Sequence, residues 1–126
     1  MKKVFLIHRG VDRSRVTGFK GLIDDLNGYE GVYDREDVRH EGPAAIKQYL
    51  QELMKPCSIV ALLIGDDSHN GRYLEYELSL SRNWGKKRVA FRISGTTGGL
   101  PAEWKNAGIK IFGGKKSVVK KVLDSL

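Results

Sequence analysis

Short apolar runs alternate along the chain with longer stretches whose apolar residues recur every three or four positions. Runs rich in β-formers read as strands, and the three-to-four spacing reads as one face of a helix. Lys3 to Ile7 predicts a first strand. Ser14 to Leu26 predicts a helix with Val16, Phe19, Leu22, Ile23 and Leu26 on one side. Gly18 and Gly21 weaken that helix, and Asn27-Gly28 closes it. Gly31-Val32-Tyr33 predicts a short second strand, and Asp34 to Gly42 a charged loop expected to be exposed and mobile. Pro43 suits a first helical position. Ala45, Ile46, Tyr49, Leu50, Leu53 and Met54 then form one stripe, which Pro56 prevents from continuing.

Ser58 to Ile64 predicts a third strand, apolar at every position from Ile59 onward. Such a run fits a central parallel strand covered on both faces. A polar turn, Gly65 to Gly71, leads into a third helix expected from Arg72 to Trp84. Lys87 to Ile93 predicts a fourth strand, Ala102 to Asn106 a short helix, and Ile109 to Phe112 a fifth strand. Lys115 to Leu126 predicts a last helix, with Val118, Val119, Val122, Leu123 and Leu126 aligned.

Five strands separated by helices imply right-handed crossovers and a parallel sheet. The expectation is one α/β domain over residues 1–126, a three-layer α/β/α flavodoxin-like fold with strand order 2-1-3-4-5. In that layout ligands bind at the carboxyl ends of the strands, where the connectivity reverses. The loops His8 to Arg13, Asp34 to Gly42 and Gly65 to Gly71 therefore carry the candidate chemistry.

Bulk properties narrow the classes. Cys57 is the only cysteine, so no internal disulfide forms and a reducing, cytoplasmic setting is expected. The apolar run after Met1-Lys2-Lys3 is four residues long and ends at His8-Arg9, which reads as a strand rather than a signal peptide. The longest run, Ile59 to Ile64, is far below the ~20 residues needed to cross a bilayer. The net charge of +7 suits either a solvated basic surface or a polyanionic partner. Apart from Lys86-Lys87-Arg88 and the Lys115-Lys116/Lys120-Lys121 set, the basic residues are scattered and without interleaved aromatics, which argues against nucleic acid and favours the solvated surface.

The third helix holds an anomaly. At about 100° per residue, Tyr73, Leu74, Leu80, Ser81 and Trp84 all fall within about 60° of Glu77. The carboxylate of Glu77 thus lies inside the apolar arc, while Glu75 points away. A buried carboxylate without a partner is costly. The pattern fits an ion pair with a nearby arginine, a core face shifted by one column, or a functional acid. Other features are plainer. His8, His40 and His69 lack metal-ligand spacing, so no metal is expected. Cys57 reads as a core thiol. Asp66, Asp67, Ser68 and Asn70 read as caps of the third helix. Ser94 to Gly99 lacks the Gly-Lys-Ser/Thr ending of a phosphate loop and reads as a flexible connection.

Three segments together resemble TIR domains. Val4-Phe5-Leu6-Ile7-His8 with Asp12 resembles their opening strand and loop. Tyr33-Asp34-Arg35-Glu36-Asp37-Val38, with Gly42 beyond, resembles the acidic-basic pair after the second strand. Arg72-Tyr73-Leu74-Glu75-Tyr76-Glu77-Leu78 resembles the helix motif that ends in Glu and an apolar residue, with Tyr73 where the family often has Trp. The order of the three is similar to that of small prokaryotic TIR-like domains related to the Thoeris anti-phage TIR protein.

The resemblance implies cleavage of the nicotinamide–ribose bond of NAD, with Glu77 as the catalytic glutamate. It implies that His8, Arg9, Asp34, Arg35 and Tyr73 contact the nucleotide. No cofactor is expected to be tightly bound, and NAD enters as a substrate. Nicotinamide leaves without a general acid, and a carboxylate facing an oxocarbenium-like transition state lowers the barrier electrostatically. The resemblance equally fits a non-catalytic module that meets a second copy or an effector protein through the 34–42 loop, where Arg35, Glu36, Asp37 and Arg39 offer both signs. A phosphotransfer receiver would need acidic residues where His8-Arg9 stand. A flavin carrier would need a Ser/Thr/Gly cradle there, which is also missing.

Overall fold

Every residue from Ile59 to Ile64 is at most 1% exposed, and the rest of the fold is arranged around that strand. The computed structural model describes residues 1–9, 11–34, 42–66 and 73–126. In chain order the elements are β1 (Lys2–Arg9), α1 (Arg13–Asp24), β2 (Tyr29–Val32), α2 (Pro43–Met54), β3 (Ile59–Ile64), α3 (Leu74–Asn83), β4 (Lys87–Arg92), α4 (Ala102–Asn106), β5 (Ile111–Gly113) and α5 (Lys116–Asp124). The strands form one parallel sheet in the order β2-β1-β3-β4-β5, as the periodicity predicts.

Strand alternation divides the core in two. Val4 and Leu6 of β1, Ile59, Ala61 and Leu63 of β3, and Val89 and Phe91 of β4 face α1 and α5. There they meet Val16, Phe19 and Ile23 on one side and Val119, Val122 and Leu123 on the other. Phe5, Ile7, Val60, Leu62, Ile64 and Ala90 face the opposite layer, with Ile46, Leu50 and Met54 of α2, Leu74 and Leu78 of α3, and Trp104 of α4. Cys57 is buried at the foot of β3, where burial pushes its thiol up to about 11. Among the described residues no helix is long and apolar enough to cross a membrane.

Several boundaries differ from expectation. The second strand starts at Tyr29 rather than Gly31, because Lys2 pairs with Tyr29 and the Tyr29 hydroxyl donates to Asp124 Oδ1 at 2.6 Å. The turn signal at Asn27-Gly28 hid that start. The fifth strand begins at Ile111, since the Ile109 N–H closes the α4 turn on the Trp104 carbonyl instead. Trp84 leaves the apolar arc assigned to it: the helix ends at Asn83, and Trp84 is 38% exposed. Asp66 is not a helix cap. It accepts from the Thr97 N–H at 3.3 Å, and the first cap position of α3 is Tyr73, with no side-chain cap bond. Asp67, Ser68, Asn70 and Arg72 lie outside the described residues, as do residues 35–41 of the loop expected to be mobile.

The largest departure is the Ser94 to Gly99 segment, expected to be flexible and in fact strapped to the sheet. The Thr96 hydroxyl is buried within reach of the carbonyls of Ile93 (2.6 Å) and Ile64 (3.2 Å). The Gly98 N–H donates to the Gly65 carbonyl at 2.9 Å. Arg92 donates twice to the Gly98 carbonyl (3.1 and 2.8 Å), and Arg9 to that of Gly99 (3.3 Å). Arg9 and Arg92 flank Ile64 in the sheet register, so the two guanidinium groups reach over the end of β3 from either side.

A Cβ at position 98 would stand 2.1 Å from the Gly65 oxygen, whereas one at position 99 would meet nothing within 4 Å. Gly98→Ala should therefore cost about 2 kcal/mol and lower Tm by roughly 5–10 °C, with Gly99→Ala close to neutral. Thermal unfolding of the two variants followed by circular dichroism checks this. Equal stabilities would show that the strap does not depend on the close backbone approach.

Candidate functional site

The carboxyl ends of β1 and β2 and the first turn of α3 converge on one corner. β1 runs two residues further than its apolar run, because His8 and Arg9 still pair with Leu63 and Ile64 of β3. His8 is thereby set at the rim of the sheet rather than in a loop. Its Nε2 lies 3.7 Å from Asp34 Oδ1, an ion-pair separation beyond hydrogen-bond length. Asp34 follows β2 by two residues. Arg13, the first residue of α1, donates to its backbone carbonyl at 2.9 Å and so fixes where the chain leaves the strand. Asp12 starts α1 just before it, accepting from the Arg15 N–H at 2.9 Å.

Glu77 enters from the other side of the corner. Its N–H donates to the Tyr73 carbonyl at 2.9 Å, so it sits in the first turn of α3, where a negative side chain is favoured by the helix dipole. The residue as a whole is half-buried, but its Oε2 is shielded from solvent and has no hydrogen-bond partner among the described residues. The apolar arc read from the sequence is real around it: Leu74, Leu78, Leu80 and Ser81 are all buried. No arginine among the described residues satisfies that oxygen.

The two carboxyl groups behave oppositely. Burial, and secondarily the charge of Asp34, pushes Glu77 well above the ordinary 4.5. Burial also pushes Asp34 upward, but His8 and the Arg13 guanidinium outweigh it and hold Asp34 below 3.8. Interacting carboxyls in one site share protons in this way: one ionises early and the other late. The corner therefore brings a carboxyl group with a lowered pKa, Asp34, beside His8, and near them one with a raised pKa, Glu77.

Of the residues singled out in the sequence, His8, Asp34 and Glu77 come together. Tyr73 starts α3 and packs partly buried against the core on that face. Arg9 turns away from the corner to the strap. Arg35 lies outside the described residues. Sequence reasoning missed Arg13, whose role depends on a carbonyl 21 residues away and leaves no local signal. Two open clefts lie elsewhere. One of about 590 Å³, bordered by Lys55, Trp84 and Lys86, is at the amino edge of the sheet. The other, about 310 Å³, lies between Ile93–Thr96 and Phe112–Lys115. Neither includes Glu77, and chemistry rather than volume marks the corner. No group of three metal-ligating side chains is gathered among the described residues.

The family model for the Thoeris protein ThsB, TIR-like domain, matches residues 5–97. The chain belongs to that family. No curated protein matches it. The matched span of this TIR-like domain includes His8, Asp34 and Glu77 and the strap through Thr97. It leaves α4, β5 and α5 outside, so the corner belongs to the part of the domain that defines the family.

The raised pKa of Glu77 makes stability depend on pH with a definite sign. Between 4.5 and its raised folded value, the folded state binds more proton than the unfolded chain, so stability falls as pH rises. The contribution is fully present below 4.5 and is lost upward. Glu77→Gln should remove this dependence, and its stability advantage over the wild type should grow as pH is raised from 4.5 toward 8. Urea unfolding at several pH values measures that difference. A difference independent of pH would mean that Glu77 is ionised in the folded protein throughout.

Proposed function

We propose that this TIR-like domain binds NAD with its nicotinamide ribose beside Glu77 and cleaves the nicotinamide–ribose bond, yielding an ADP-ribose-type signal in anti-phage defence. The observation that carries the reading is the Oε2 of Glu77, shielded and without a hydrogen-bond partner among the described residues, in the first turn of α3. A polar atom kept in that state costs stability, and costly groups cluster where chemistry needs them. The position also coincides with the glutamate of the TIR helix motif.

In the reaction the C–N bond breaks and its electron pair goes to the ring nitrogen, so the pyridinium leaves as neutral nicotinamide. Positive charge develops on the ribose. Glu77, as a carboxylate, faces that charge and stabilises it. Water then bonds to the anomeric carbon and loses a proton, giving ADP-ribose. Attack by the adenine of the same molecule gives a cyclic product instead. Asp34 and His8 border the same corner and serve to orient the ribose.

Glu77→Gln keeps the shape of the side chain and removes its charge. Nicotinamide release should fall by roughly 10²–10³-fold with the fold intact. The measurement is an NAD-consumption assay at high protein concentration, wild type beside variant, with amide NMR shifts recorded on adding NAD. Equal turnover in both proteins removes Glu77 from catalysis. No turnover and no shifts near His8, Asp34 or Glu77 at millimolar NAD moves the function to a non-catalytic interaction module.

A further inference from the structure

The far end of α3, at the amino edge of the sheet, presents a different surface from the corner. Trp84 follows the last residue of the helix and is 38% exposed; apart from Met1, no other large apolar side chain among the described residues is exposed. Beside it runs the cleft of about 590 Å³. Gln48, Gln51, Glu52 and Lys55 line one wall, at the spacing that sets four side chains along a single face of α2. Trp84 and Lys86 line the other. Two cross-links between the walls fix the width. Gln51 Nε2 donates to the Tyr76 hydroxyl at 2.6 Å, and Lys86 Nζ donates to the Lys55 carbonyl at 3.0 Å. Lys86 Nζ also stands 5.9 Å from the centre of the indole ring, and Lys47 Nζ lies 5.2 Å over the ring of Tyr76. Among the residues that line the cleft, Glu52 is the only carboxylate, against Lys55 and Lys86. Helices α2 and α3 and the connections 55–58 and 84–86 lie wholly among the described residues.

We propose that this cleft is a docking site for an acidic segment of a partner protein, which seats an aromatic side chain on Trp84 and sets carboxylates against Lys55 and Lys86. The α2 wall from Gln48 to Lys55 is about 10 Å long, the reach of about three residues of extended chain. The amides of Gln48 and Gln51 offer donors and acceptors to the backbone of such a segment. The two lysines supply the complementary charge, and the net +7 of the chain draws an acidic partner toward it. An exposed tryptophan framed by polar groups is the side chain that gains most when a partner covers it. Single-stranded nucleic acid fits less well, because it needs a row of stacking platforms where this cleft has one, and because Glu52 repels a phosphate backbone. The inference is independent of the NAD-binding reading. Glu77 lies in the first turn of α3 and Trp84 beyond its last, so the two sites face opposite edges of the sheet.

The chain has two tryptophans, and Trp104 is wholly buried, so Trp84 reports on the cleft. The test titrates the full chain with a short synthetic peptide of Asp and Glu carrying one central Phe. Trp84 emission should move to the blue, and amide NMR shifts should appear at Gln48, Gln51 and Lys86. Replacing the Phe by Ala should weaken binding at least about tenfold. Lys55→Glu, which keeps the carbonyl that Lys86 grips, should weaken it about fivefold, and added salt should weaken it further. Trp84→Ala removes an exposed side chain; it should lose the peptide, read by the same amide shifts, and leave NAD consumption unchanged. No response at millimolar peptide overturns the proposal, as does equal binding of the Phe and Ala peptides. A single-stranded oligonucleotide of the same charge that binds as tightly assigns the surface to nucleic acid instead. Dimerisation in sedimentation that Trp84→Ala abolishes assigns it to a second copy of the chain, and either result overturns the acidic partner. None of these outcomes bears on the NAD-binding reading, which its own assay decides.

Discussion

The constraint on which this fold depends is the complete burial of β3. A strand that is apolar at six consecutive positions must be covered on both faces, and only a parallel sheet with helices on each side does that. β1 and β4 flank it, and α1, α5, α2 and α3 cover it. Where β3 ends, the chain has to leave a dry core at a rim of unpaired backbone groups. The strap over Ile64 and Gly65 provides partners for those groups. Thr96 and Gly98 meet the carbonyls, and two arginines hold the strap from either side.

With the rim held on the β4 side, chemistry is concentrated on the β2 side. Three elements that are remote in sequence deliver His8, Asp34 and Glu77 to one corner, each through ordinary backbone geometry. His8 is placed by strand register, Asp34 by the exit from β2 that Arg13 holds, and Glu77 by the first turn of α3. What is unusual is the balance of environments. The pKa of one carboxyl group is lowered by His8 and Arg13, while burial raises that of the other.

Much of this was legible in the sequence, and the part that was not has physical reasons. The β3 run and the α2 stripe announce themselves because local periodicity and burial agree there. The helical arc around Glu77 was visible for the same reason, since Leu74, Leu78, Leu80 and Ser81 obey the 3.6-residue period. Trp84 broke the pattern because a wheel has no end, whereas a real helix does. The start of β2 was obscured by Asn27-Gly28, a turn signal followed at once by a strand. Arg13 and Gly98 could not have been found by any local rule. One acts on a carbonyl 21 residues away, and the other is a glycine because a backbone oxygen 33 positions earlier leaves no room for a methyl group.

Apart from the Thr96 hydroxyl, the strap is held through its main-chain atoms. Arg9 and Arg92 grip carbonyls, Asp66 accepts a hydrogen bond from the Thr97 N–H, and Gly98 pairs with Gly65 backbone to backbone. Ser94 and Thr97 project their side chains outward from it and are exposed. A segment fixed by its backbone places no demand on the side chains it displays. Relatives of this domain are thus free to change residues 94 and 97 while keeping the same rim, which gives the outer surface of the loop room to diverge toward different neighbours without disturbing the sheet beneath.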